Sequence, residues 1–171
     1  MAIGILIVIL AAALTQPLIE FAIVLNERVA LDSAIMNSCR AARNNALAAA
    51  YYYRSDRIVG DLNAYIEEAE FRRYFAEALA ETLEVSIIDS TANPIKFGGN
   101  RRWNSVVIWF GFDYDDDGDF EGHGAGSVTI EVETPYKFRT ALLRTAADAS
   151  GGTYNLGRRS EPMTFYVQVV N

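Results

Sequence analysis

MAIGILIVILAAALTQPLIEFAIVL, residues 1–25, carries no lysine or arginine and a single carboxylate, Glu20. A segment this apolar belongs in a membrane or in the packed interior of an assembly. The residues that follow, to about Ala50, remain helix-forming and mostly small or apolar. At ~1.5 Å per residue a 50-residue helix spans roughly 75 Å, far more than a bilayer core of ~30 Å. The second half, from Asn26 to Ala50, must therefore leave any membrane and pack on something. Leu31, Ile35, Cys39, Ala42, Ala46 and Ala50 recur at helical spacing and predict a narrow stripe whose small residues permit close helix approach. Thr15-Gln16-Pro17 predicts a kink or local unwinding, because proline removes a helix hydrogen bond and clashes with the preceding turn.

The remainder of the 171 residues reads differently. Residues 1–50 hold three acids (Glu20, Glu27, Asp32) and three bases (Arg28, Arg40, Arg43), so the whole net charge of −7 lies in residues 51–171. An acidic head argues against nucleic acid or anionic lipid as its partner. The expected division is a helical stalk over 1–54 and a globular head over 55–171. Gly60 breaks the first helix and Asp61 is a candidate N-cap for a second. Leu62, Ile66, Ala69, Phe75, Leu79 and Leu83 then form one apolar face, with Glu68 and Arg72 an i,i+4 pair on the outer side. Strands are expected at Val85–Ile88, Ser105–Phe112, Ser127–Glu133 and Met163–Val170, with loop over Ala92–Asn100 and a short helix over Thr140–Ala147. Val128, Ile130 and Val132 alternate with polar neighbours, which marks a half-buried strand, whereas Ser105–Phe112 is apolar on both faces and so central. The fold class is α+β: a long apolar helical stalk and a head of antiparallel sheet covered by a helix.

The sharpest local motif is Asp113-Tyr114-Asp115-Asp116-Asp117-Gly118-Asp119-Phe120-Glu121. Acids at positions 1, 3 and 5 before a glycine at 6 match the calcium-loop pattern, in which alternate residues of a curled chain aim oxygens at one centre. Asp113, Asp115, Asp117, Asp119 (through its carbonyl) and Glu121 are the candidate ligands of a structural Ca²⁺ that pins a hairpin tip. Position 12 is Gly124, not a bidentate glutamate, and the flanks are strands, so this is not an EF-hand. The alternative is a solvated acidic tip. His123, the only histidine, reads as a hydrated loop residue. There is no P-loop, GxSxG, CxxC or paired-histidine motif, and no enzymatic activity is expected. Cys39 cannot form an intrachain disulfide and reads as a small packing residue. Tyr51-Tyr52-Tyr53 is expected to pack stalk on head, and Phe71, Tyr74 and Phe75 read likewise as packing aromatics.

Two stretches resemble the TadE/TadG-like pilin family of the tight-adherence systems. The first is PLIEFAIVLNERVALDSAIMNSCRAAR, residues 17–43, where Glu20-Phe21, Ala30-Leu31, Asn37 and Arg40/Arg43 fit the family pattern loosely. The second is VTIEVETPYKFRTALLRTAADASGGTYNLGRRSEPM, residues 128–163: a strand, an aromatic-proline turn, a short apolar segment, a glycine break and a closing strand. Gln16 and Pro17 within the apolar segment depart from the pattern, and the acidic loop is not a family hallmark.

The resemblance implies a structural subunit of an extracellular type IV pilus-like filament. Such a subunit is inserted in the inner membrane as a precursor, handled by prepilin peptidase and the pilus assembly machinery, and polymerised with its own copies through the N-terminal helix. With no base before Arg28, the expectation is that a basic leader preceded Met1 and was removed, leaving a free amine. A carboxylate in an apolar segment is costly and needs a partner. Neighbouring subunits' N-terminal amines at Met1 would then pair with Glu20 and set axial register. Glu20 lies deeper than the fifth position usual in type IV pilins, and the alternative places it at a membrane–water boundary. The rival readings are a minor pseudopilin or assembly factor, and a membrane-tethered calcium-dependent binding module.

Overall fold

A computed structural model describes residues 2–53, 66, 68–113, 127–149, 151, 154–160 and 163–164. Helix α1 (Ala2–Tyr53) is followed by α2 (Glu68–Leu83), then strands β1 (Ile87–Asp89), β2 (Ile95–Phe97), β3 (Val106–Asp113), β4 (Ser127–Glu133) and β5 (Pro135–Tyr136). Helix α3 (Ala141–Ala149), β6 (Tyr154–Asn155) and β7 (Met163–Thr164) complete the order. The main sheet runs β1-β2-β3-β4-β7 with every neighbouring pair antiparallel, and β5 pairs with β6 in a separate ribbon. This is the α+β architecture expected, a long apolar helix and an antiparallel sheet packed by a helix.

The α1 stripe packs against α2. Val24, Leu31, Ala34, Ile35, Cys39, Ala42 and Ala46 are buried in one cluster with α2 and the sheet, so the packed unit takes in α1 from Val24 onward. The second half of the long helix thus packs on the chain's own head. The side chains of Ala50 and of the tyrosine run 51–53 lie outside the described residues, as does the expected stalk–head boundary near 54. Helix α1 continues through Pro17, where a kink or unwinding was expected. Thr15 lies two residues earlier, and its hydroxyl donates to the carbonyls of Ala11 (2.9 Å) and Ala12 (3.3 Å).

Helix α2 buries Phe71, Phe75, Ala76, Leu79 and Leu83. Ile66 is buried as expected, but Ala69 faces solvent and Phe71 takes the core position instead. Asp61 and Leu62 lie outside the described residues. Phe75 meets Phe110 of β3 edge-on at 5.0 Å between centroids, and Phe71 meets Phe112 at 5.8 Å. Such pairs contribute about 0.5–1.5 kcal/mol each beyond simple burial. On the outer side the expected Glu68–Arg72 pair is present at 3.8 Å.

The end of α2 moves the first strand two residues later than its composition suggests at the start. Glu84 adopts φ 55°, its N–H donates to the Glu81 carbonyl (3.4 Å), and the Val85 N–H donates to Ala80 (3.0 Å). This is a Schellman closure with a non-glycine residue in the left-handed position, so Val85 terminates the helix and β1 begins at Ile87. The Asn100 side-chain amide donates to the Leu83 carbonyl at 2.9 Å, which ties the following loop to the same helix end.

Residues 92–100, expected to be loop throughout, contain β2. Ile95 and Phe97 are buried around an exposed Lys96, and Ile95 pairs with Ile108. The strand is short and bounded by Pro94 and Gly98, so its turn residues conceal it. The Asn93 side chain extends the pairing by exchanging two hydrogen bonds with the Phe110 backbone, at 2.8 and 3.0 Å. Central β3 and the alternation of β4 follow expectation: Val106, Ile108 and Phe110 point inward from one, Val128, Ile130 and Val132 from the other. Beyond β4, residues 156–160 run along its edge, with Leu156 N–H donating to Thr134 (2.9 Å) and Ser160 N–H to Ile130 (2.7 Å). Of the expected last strand, Met163–Thr164 pairs with β4 and 165–170 lies outside the described residues.

Candidate functional site

The first feature of the site is what the head leaves uncovered. Ile3, Ile5, Leu6, Ile7, Val8, Ile9, Leu10, Leu14, Leu18 and Ile19 are between 60 and 76% exposed. Scattered apolar residues on a surface are ordinary, but a contiguous apolar rod is a site of contact with lipid or protein. Residues 3–19 extend roughly 25 Å at ~1.5 Å rise, close to a ~30 Å hydrocarbon core. By length and composition the N-terminal helix can cross a membrane.

Glu20 closes that rod and is itself buried, at 5% exposure. Its two carboxylate oxygens accept the backbone N–H groups of Arg139 and of Thr140, the latter at 2.8 Å. Thr140 is the N-cap of α3, since its carbonyl accepts the Arg144 N–H at 3.0 Å. An anion at a helix N-terminus meets unpaired N–H donors and the positive end of the helix dipole. Glu20 therefore binds the two amides that lead into α3, and it fixes the start of that helix to the stalk where the exposed run ends. Glu20 is expected to pair with N-terminal amines of neighbouring subunits; within the chain it binds these two amides. Met1, the other expected assembly residue, lies outside the described residues.

Further links join head and stalk over the next turns. Arg102 lies 3.9 Å from Glu27, and Arg158 lies 3.2 Å from Asp32. Tyr136 packs against Phe138 (5.3 Å between rings) close to the same stretch of α1. Burial, and then the nearby Glu27 and Glu20 carboxylates, push the Tyr136 phenol above its ordinary value.

At the acidic motif, Asp113 ends β3 as an exposed residue whose Cα pairs with that of Ser127. The loop's flanks are thus antiparallel strands, as expected. Asp115, Asp117, Asp119 and Glu121 lie outside the described residues, as does His123. Among the described residues no group of three or more His, Cys, Asp or Glu side chains converges.

Compared with family models, curated proteins and solved structures, the chain has no match. The site was partly legible. Glu20 stands out because a lone carboxylate in an apolar run needs a partner, and a short helix is expected over Thr140–Ala147. Their pairing is not legible, because the donors are backbone amides, which every residue carries.

Proposed function

We propose that the chain is a structural subunit of an extracellular type IV pilus-like filament, held in a membrane before assembly and polymerising through its N-terminal helix. One observation carries the reading. The same continuous helix is packed by the head from Val24 onward and bare from Ile3 to Ile19. An apolar rod on a folded head has two stable environments: a bilayer, or a bundle of identical rods. Moving from the first to the second keeps the apolar surface out of water, at ~25 cal/mol for each Å². The likeness of residues 17–43 and 128–163 to TadE/TadG-like pilins supports the second destination. In this reading the acidic heads coat the outside and do no chemistry.

The deciding experiment is electron microscopy of the sheared cell-surface fraction, with its protein identified by mass spectrometry. Abundant thin filaments made mainly of this chain are expected. A chain retained in the membrane pellet without filaments would overturn the reading in favour of a tethered module or minor pseudopilin. Glu20→Ala should lower filament number while the head stays folded. Unchanged filament number in that variant would remove Glu20 from assembly.

A further inference from the structure

Helix α3 buries none of its residues, although it is amphipathic. Leu142, Leu143 and Ala146 share one side of the helix, and Arg144, Thr145 and Asp148 the other. Leu142 is 64% exposed, Ala146 is exposed and Leu143 half-buried. An apolar helical face at the surface needs an occupant, and three observations name one.

The first is position. The Arg139 and Thr140 amides bind Glu20, so the start of α3 is held where the bare run 3–19 ends. If that run fills a bilayer's hydrocarbon core, α3 stands at the headgroup level. The second is charge. Residues 135–149 contain three bases, Lys137, Arg139 and Arg144, against one acid, Asp148, in a chain of net charge −7; the Glu20 and Glu27 carboxylates of α1 face Arg139 and offset part of this local charge. All three bases are exposed. The acidic head as a whole argues against anionic lipid, but screening limits each charge to about 10 Å, so the local sign governs a contact. The third is the aromatic group beside them: Tyr136, Phe138 and Tyr154 pack in sequence at 5.3 and 5.6 Å. Tyrosine suits an interface with one apolar and one wet side. A second copy's bare helix is the competing occupant, but residues 2–19 hold no charged group to meet Lys137 and Arg139.

We infer that α3 is an interfacial foot: with the stalk inserted, it lies on an anionic bilayer surface, Leu142 and Leu143 in the headgroup–acyl boundary and Lys137 and Arg139, which precede the helix, on lipid phosphates, while Arg144 faces water. The inference rests on the reading that residues 3–19 insert in a membrane before assembly. Its consequence is orientational. The foot and the Glu20 contact together hold the head at a fixed tilt to the membrane, and extraction into a filament must break the lipid contact.

The test uses the full chain carrying Cys39→Ala and Leu142→Cys, with a nitroxide at the new cysteine, in proteoliposomes. One set contains phosphatidylcholine with phosphatidylglycerol, the other phosphatidylcholine alone. A parallel sample carries the label at Val8→Cys. In anionic vesicles the Leu142 site should collide with oxygen in preference to a water-soluble nickel chelate, and this preference should fall in neutral vesicles. Replacing Lys137 and Arg139 by glutamine should reduce the docked population about fivefold for each base removed. Water exposure of the Leu142 site in anionic vesicles, with the Val8 site in hydrocarbon, would overturn the foot and leave membrane insertion standing. Water exposure at Val8 would overturn both. Shielding of the Leu142 site that grows with protein density and ignores lipid charge would assign the face to a second copy and overturn the foot.

Discussion

Both halves of α1 are helix-forming and largely small or apolar, but the first carries one charged residue and the second five, and their environments differ. Leu10, Leu14 and Leu18 are bare, whereas Leu31 has no exposed surface. Among their apolar residues, the halves differ in where the small ones fall. From residue 31 the helix places Ala34, Cys39, Ala42 and Ala46 along one line, and α2 approaches along it. Before residue 20 leucine, isoleucine and valine are distributed round the whole circumference. A helix apolar all round suits a surrounding medium; a narrow stripe of small residues suits one neighbouring helix. Apolarity says that a segment avoids water, and its angular distribution says what it meets instead.

One substitution made in both halves should break or sustain this contrast most clearly. Leu31→Ala should cost about 2–5 kcal/mol of unfolding free energy, because it empties a packed site. Leu10→Ala should stay within about 0.5 kcal/mol, since the side chain touches little of the head. Denaturant unfolding of the full chain in mild detergent, followed by Trp103 and Trp109 fluorescence, measures both. Equal losses would mean that the bare half is also packed by the head.

A reversed substitution sharpens the comparison with a smaller effect. Ala42→Leu should cost about 1–3 kcal/mol, because the added carbons meet α2 at close approach. Ala12→Leu, on the exposed half, should leave the same unfolding midpoint unchanged. A tolerated Ala42→Leu would show that the stripe is loosely packed.

The smallest effect lies in a solvent-facing turn of the head and sets the floor for the others. The Asp89 carboxylate accepts the Thr91 N–H (3.0 Å), the Thr91 hydroxyl (2.9 Å) and the Ala92 N–H (3.3 Å). The Thr91 amide first, then its hydroxyl and the Ala92 amide, hold the Asp89 carboxyl below its ordinary value of 3.8. A depressed folded-state value contributes stability above the unfolded value and loses it as pH falls through the folded one. The gap in melting temperature between the native chain and Asp89→Asn should therefore be small at neutral pH and close below about pH 4. A gap that persists in acid would assign the effect to the side-chain shape and not to the charge.

Sequence alone determined the long apolar helix, its small-residue stripe, the central β3, the alternating β4 and the start of the short helix at Thr140. Each is written in residues a few positions apart, where periodicity and capping chemistry act. It also singled out Glu20, because an isolated carboxylate in an apolar run must find a partner. Tertiary structure decided who that partner is. The Arg139 and Thr140 amides lie 119 and 120 positions away and carry no side-chain signature of the contact. Tertiary structure likewise revealed β2, whose three residues pair with β1 on one side and β3 on the other, and put Phe71 in the core in place of Ala69. Above all it set the point on α1 where packing begins. A chain's local pattern determines what each segment can bury, but which segment folds back to cover it depends on long-range closure, and here that closure stops at Glu20.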